Sequence, residues 1–173
     1  MAGTVKNVID KATDTVGGSV GKMSAGMTTS ADAFVESARI GDLYEVAAAR
    51  IALARSTSEP VRLIARKMIE DHMAAIHHVD AALEMNETKG VASPPAELDA
   101  RRKGMIKHLE EAPNKAFEST YLDQQVLAHE ETVSLLRTYS TDGDNPQLRS
   151  YALATLPVVE RHLEAVSSRK AQR

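Results

Sequence analysis

The chain contains no cysteine and no tryptophan, and only 3% of its 173 residues are aromatic. Without cysteine there are no disulfides, no thiolate nucleophile and no sulfur-ligated zinc or iron-sulfur cluster, so any metal must be held by nitrogen and oxygen. No apolar run approaches the ~20 residues of a membrane span. Neither charge sign dominates: the net charge is -3 with acids and bases interspersed, which offers nucleic acid no basic field. The start, "MAGTVKNVIDKATDTVGGSVGK", lacks the compact apolar core and small-residue cleavage site of a secretory signal, so the cytoplasm is the expected compartment.

What is present is an aliphatic palette. Hydrophobic residues make up 43%, mostly Ala, Leu, Val, Ile and Met, which favours helices over strands. The length suits one domain with a real core.

Val5, Val8, Ile9, Ala12 and Val16 recur at helical spacing and predict a short amphipathic helix over 4–16, ended by Gly17-Gly18. The stretch "GGSVGKMSAGMTTS" reads as a flexible linker, so residues 1–28 form a flexible, amphipathic N-terminal segment suited to touching a partner or a membrane surface. Thr29 and Asp32 have capping-box spacing ahead of a helix over 31–56 on the stripe Phe34, Ala38, Gly41, Ala48, Ala52. After "STSEP", Pro60 falls in the first turn of a second long helix, 60–87, with Val61, Ala65, Met68, Ala75, Val79 and Leu83 on one face.

Gly90 and "SPP" open a long connection holding a shorter helix, 96–111, that stops before Pro113. A third long helix covers 114–140 on Leu122, Val126, Val133 and Leu136. In "TDGDNP", Asn145 can cap and Pro146 can start a fourth long helix, 146–168, with a kink expected at Pro157. The expected fold is therefore all-α: an antiparallel four-helix bundle over 29–168, up-and-down or ferritin-like, with an extra short helix in the long connection and a basic tail at 169–173.

Each long helix then carries one polar residue where its stripe should be apolar. At roughly 100° per residue, His72 lies within about 20° of Val61, Ala65, Val79 and Leu83, and Glu45, His129 and His162 lie about 20° from Phe34, from Leu122 and Leu136, and from Thr155. Each replaces a Leu or Val worth about 1.5 to 3 kcal/mol of burial. One intrusion per helix points to a shared site at the bundle axis.

Glu45 and His72 sit at nearly one level on either side of the first turn, whereas His129 and His162 are offset by roughly 7 Å unless the Pro157 kink or the turn absorbs it. Three imidazoles and a carboxylate suit one divalent transition ion such as zinc, iron or copper, where magnesium or calcium would want oxygens.

Asp71, at the flank beside His72, is placed to orient an imidazole or to act as an extra ligand, and Tyr121, two turns before His129, to bring its hydroxyl near. Glu70, Glu160, His77 and His78 point away from the core, and Glu130 lies at a flank. His108 needs no role. A dinuclear carboxylate site wants Glu-x-x-His pairs, and this chain has "EDH" and "ERH" instead.

The runs "DAFVESARIGDLYEVAAARIALARS", "VRLIARKMIEDHMAAIHHVDAAL", "FESTYLDQQVLAHEETVSLLRTYS" and "NPQLRSYALATLPVVERHLEAV" resemble a bacterial ferritin-like family catalogued as a domain of unknown function, many of whose members are labelled membrane or exported proteins. The resemblance spans about residues 31–168. It rests on Glu45, then Met68, Asp71 and His72, then Tyr121 and His129, then Leu156, Pro157 and His162. It implies a ferritin-like four-helix fold with a metal site, and this chain departs from many members in its Gly-rich start.

Three functional expectations follow. The first is a mononuclear metal protein on Glu45, His72, His129 and His162, serving metal or oxidative stress protection. The second is a metal-free helical interaction or stress protein in which the histidines form a buried network with Glu45 and Asp71 and the N-terminus docks elsewhere. The third is a dinuclear iron oxidase, which needs Glu45, Asp71 and a further carboxylate such as Glu130 to converge.

Overall fold

A computed structural model describes residues 2–173 and shows an all-α chain. Its helices are α1 (Ala2–Ala25), α2 (Ala31–Arg55), α3 (Glu59–Leu83), α4 (Ala100–Glu111), α5 (Asn114–Asp142) and α6 (Pro146–Ala171), with one turn of 3-10 helix at Asn86–Thr88. Among the described residues no helix is long and apolar enough to cross a membrane.

Local chemistry sets the boundaries. Ser30, rather than the expected Thr29, caps α2, its hydroxyl accepting from the Ala33 N–H at 3.4 Å. Asp99 caps α4 through the Arg102 N–H at 2.6 Å. Asn145 caps α6 through the Leu148 N–H, and Pro146 fills the first turn, where an N–H would have no intrahelical partner. The basic tail expected at 169–173 is mostly the last turn of α6, where Lys170 pairs with Asp123 at 2.7 Å and Arg169 donates to Ser58 Oγ at 3.1 Å.

Helix α2 packs on α3 and α5, and α6 packs on α5 and α3, so each of the four long helices has two long neighbours. Contacts at both ends fix the directions: Phe34 stacks on Tyr139 at 4.0 Å between centroids, while Arg55 reaches Asn114 at 3.0 Å, so α2 and α5 run antiparallel. The apolar core divides in two along this axis. One cluster holds Tyr44, Ala48, Met68, Phe117, Leu122 and Val166. The other holds Phe34, Val79, Leu136, Tyr139, Leu148 and Val159. Residues 45, 72, 129 and 162 fall in the layer between.

The N-terminal segment differs from the expectation. Its glycines do not make a linker: α1 continues through Gly17-Gly18 to Ala25 and lies along α5, with a further contact to α4. The reason is packing rather than propensity. A Cβ on Gly18 would stand 3.1 Å from Leu127, and one on Gly21 would collide with Glu131, so the glycines form the notch by which α1 approaches α5. The buried side of α1 carries Asp14, Gly18 and Ala25. Asp14 accepts from Gln124 Nε2 at 2.7 Å and meets His108 Nδ1 at 2.7 Å, which gives His108 a structural partner. The apolar stripe faces outward instead, with Val16 65% and Met23 72% exposed.

Candidate metal centre

Three helices deliver three imidazoles to one point. His72 on α3, His129 on α5 and His162 on α6 are all buried, and their ring centroids form a nearly equilateral triangle with sides of 5.6, 5.4 and 5.5 Å. One nitrogen from each lies within 4.8 Å of the other two. The depth offset expected between His129 and His162 is absorbed in part because α5 runs on to Asp142 before the turn.

The outer nitrogen of every ring is already engaged. His129 Nδ1 lies 2.8 Å from the Gln125 carbonyl, which can only accept, so Nδ1 carries the proton and Nε2 presents a lone pair. His162 Nε2 lies 2.8 Å from Asp71 Oδ2, and His72 Nδ1 lies 2.8 Å from Asp42 Oδ1. The inner atoms, His72 Nε2, His129 Nε2 and His162 Nδ1, are buried without a hydrogen-bond partner. Three orphaned ring nitrogens gathered at one point would be costly in an ordinary core, and a carboxylate or carbonyl orienting the far nitrogen is the habitual surrounding of a metal-bound histidine.

Protonation favours the same chemistry. Burial, reinforced by the charge of His72, pushes His129 down to about 3. Burial likewise pushes His162 down to about 4, despite the opposing pull of Asp71. Both rings are therefore neutral ligands at pH 7. Burial also works against a charged His72, but the Asp42 hydrogen bond and charge outweigh it and raise that group, while burial raises Asp42. Of the three rings, His72 is therefore the one that holds a second proton most readily, and the one that an incoming cation would deprotonate.

Glu45 is buried beside the triangle but does not belong to the mutually reachable set. Its Oε2 accepts from Gln125 Nε2 at 2.6 Å, its Oε1 lies 3.5 Å from His129 Nδ1 without a hydrogen bond, and burial pushes its carboxyl above the usual carboxylate range. Asp71 Oδ2 meets His162 Nε2, and Lys67 lies 3.0 Å from its Oδ1; burial alone would raise its carboxyl, but Lys67 and His162 keep it low. Tyr121 is fully buried with an unpartnered hydroxyl, and burial followed by the Glu45 charge keeps it protonated.

Glu70 pairs with Lys67 and Glu160 with Arg137 at the surface, and His77 and His78 are exposed. Glu130 pairs with Lys22 of α1 at 3.2 Å and does not converge on Glu45 and Asp71, so the dinuclear arrangement gains nothing from it.

Two participants are absent from the expected set. Asp42 lies three residues before Glu45, about 60° round α2, and Gln125 one turn before His129. Their spacing from already suspected residues is the signal that could have found them. A cavity of about 20 Å³, bordered by Asp42, Asp71, His72 and His162 among apolar side chains, adjoins the triangle and has room for about one water. The histidine set fits a borderline divalent ion: three imidazole nitrogens oriented from behind, with a small cavity beside them.

The fold and site together define an all-α domain with a buried three-histidine cluster braced by carboxylates. The chain belongs to the family described as Domain of unknown function (DUF4142), whose model matches residues 19–168. No curated protein and no solved structure matches.

Proposed function

We propose that this protein binds one divalent transition metal ion, zinc, iron or copper, through His72, His129 and His162, with Glu45 as the carboxylate that would complete the set, inside a ferritin-like antiparallel four-helix bundle, and that it serves metal or oxidative stress protection. The observation that carries this reading is the convergence of three buried, unpartnered imidazole nitrogens whose opposite nitrogens are all engaged. When bound, such an ion supplies a charge that satisfies all three lone pairs at once, and an open fourth position would lend it Lewis acidity. Elemental analysis of the untagged protein is expected to give about one ion per chain, lost in His72→Ala. No metal after incubation with each candidate ion would leave the network without an ion.

A specific observation also supports an interaction role. The pairs His72–Asp42, His162–Asp71 and His129–Glu45 already form a histidine-carboxylate network, and α1 shows six apolar side chains from Val5 to Met23, with Met27 just beyond it, each more than half exposed. Lys6, Lys11 and Lys22 beside that stripe are paired with Glu111, Asp123 and Glu130, which leaves no unpaired α1 lysine there for anionic lipid. The stripe offers on the order of 700 Å², near the per-partner area of a standard interface, and an apolar face with a neutralised rim suits its own copy. We assign it to a second copy of this chain. Sedimentation should show a concentration-dependent dimer abolished by Val16→Glu; a monomer at every concentration, or one that floats with lipid vesicles, would contradict this.

A further inference from the structure

The buried triangle needs an entrance, and the surface between α3 and α6 supplies a candidate. A groove of about 520 Å³ runs there, lined in part by alanines, with Asp71 and His78 on α3 and Met85 just past its end. Asp71 and His78, seven apart on α3, share one face about 10 Å from each other. All three carry metal-competent atoms, and they are the groove's oxygen, nitrogen and sulfur donors on that wall.

The groove and the small cavity beside the histidines lie on either side of shared residues. Asp71, Ala75, Tyr151, Thr155 and Val158 border both. Asp71 is the one charged residue common to the two, partly exposed on the groove side and hydrogen-bonded to His162 at 2.8 Å on the other. Beyond it, the buried and unpartnered His162 Nδ1 and His72 Nε2 belong to residues that line the inner cavity. Exposed His78 stands two turns of α3 from Asp71, toward the far end of the groove.

We propose that the α3/α6 groove is the loading and release path for a divalent transition cation, with His78 as an outer transient ligand and Asp71 as the carboxylate that hands the ion inward to His162 and His72. The inference rests on the metal-binding reading and adds that the site exchanges its ion rather than trapping it during folding. A hydrated cation would exchange waters for imidazole and carboxylate in turn. Asp71 can release Lys67, which is exposed, without opening the core. The remaining groove walls are alanines, Gln147, Ser150, Tyr151, Thr155 and Val158, which carry no charge.

The test is stopped-flow zinc uptake by metal-free protein from a chromophoric zinc indicator, paired with release to excess chelator. Ala154→Phe and Ala81→Phe each plug the groove from opposite helices at exposed positions outside the histidine triangle, Ala81 one turn from His78 and Ala154 on the facing helix. Each is expected to slow loading and release together by about tenfold, at unchanged stoichiometry and affinity, because a path common to both directions alters rates and not equilibrium. His78→Ala should slow loading several-fold at low zinc only. Thermal melting of each metal-free variant identifies a folding failure, and the two plugs serve as independent checks.

Wild-type rates in both plugged variants, with one zinc still bound per chain, would overturn the path while leaving the metal site standing. A wild-type protein that takes up no zinc would overturn both.

Discussion

Zinc added to the metal-free protein is expected to raise its unfolding midpoint by roughly 8 to 16 °C at a thousandfold excess over the dissociation constant, and chelator to reverse it. The size follows from linkage: an ion that binds only the folded state adds about 4 kcal/mol there, and a domain of this length shifts by about 2 to 4 °C per kcal/mol. His72→Ala, His129→Ala and His162→Ala should each remove most of the shift, because three nitrogens from three helices close the site and any two leave it open. Replacing His77 and His78 with alanine should leave the shift intact, since both are exposed and outside the triangle. Glu45→Gln separates a ligand from a neighbour. If Oε1 joins the ion, the shift shrinks by about 1 to 3 kcal/mol of binding; if Glu45 only anchors Gln125, it stays. Differential scanning calorimetry with and without zinc reads all of these.

The same geometry predicts that the site is a burden on the metal-free fold. His129→Leu should stabilise the metal-free protein by about 1 to 2 kcal/mol at pH 7, since it replaces a buried ring with an unpaired Nε2 by a side chain of similar volume, at the cost of one hydrogen bond to the Gln125 carbonyl. Acid should widen the gap. An unfolded imidazole takes up a proton near pH 6.5, whereas folded His129 does so only near 3. Between those values the unfolded wild type binds the extra proton, so wild-type stability falls as pH falls, by about 1.4 kcal/mol per unit, and the leucine variant escapes that loss. At pH 5 its advantage is expected to be about 2 kcal/mol larger than at pH 7. Urea titrations at the two pH values check this, and with zinc present the order should invert in favour of the wild type.

The long helices were legible because their apolar stripes persist over six or seven turns. Expected limits of 31–56 and 114–140 compare with Ala31–Arg55 and Asn114–Asp142, and the caps at Asn145 and the Pro60 turn are local chemistry. The shorter helix begins at Ala100 rather than 96, because Asp99 supplies the cap. The three histidines could be found for the same reason, as polar positions on buried stripes.

Helix α1 could not be read in this way. Glycine is weakly helical alone, and what holds α1 is the fit of Gly18 against Leu127 and the Asp14 bonds to Gln124 and His108, contacts about a hundred residues away in sequence. Asp42 escaped because it lies off the centre of its stripe, and only the position of His72 on the adjacent helix turns it into a partner. Glu45 was read as a ligand from its wheel angle, but the angle says nothing of side-chain reach. The structure sets it beside His129 and Gln125, outside the triangle.

The most direct test of the central claim is anomalous diffraction at the zinc edge from crystals grown with equimolar zinc. The account predicts a single strong peak inside the chain, about 2.0 to 2.1 Å from His72 Nε2, His129 Nε2 and His162 Nδ1. No internal peak, or peaks confined to surface groups such as His77 and His78, would contradict it and leave the three histidines as a hydrogen-bonded layer in the core.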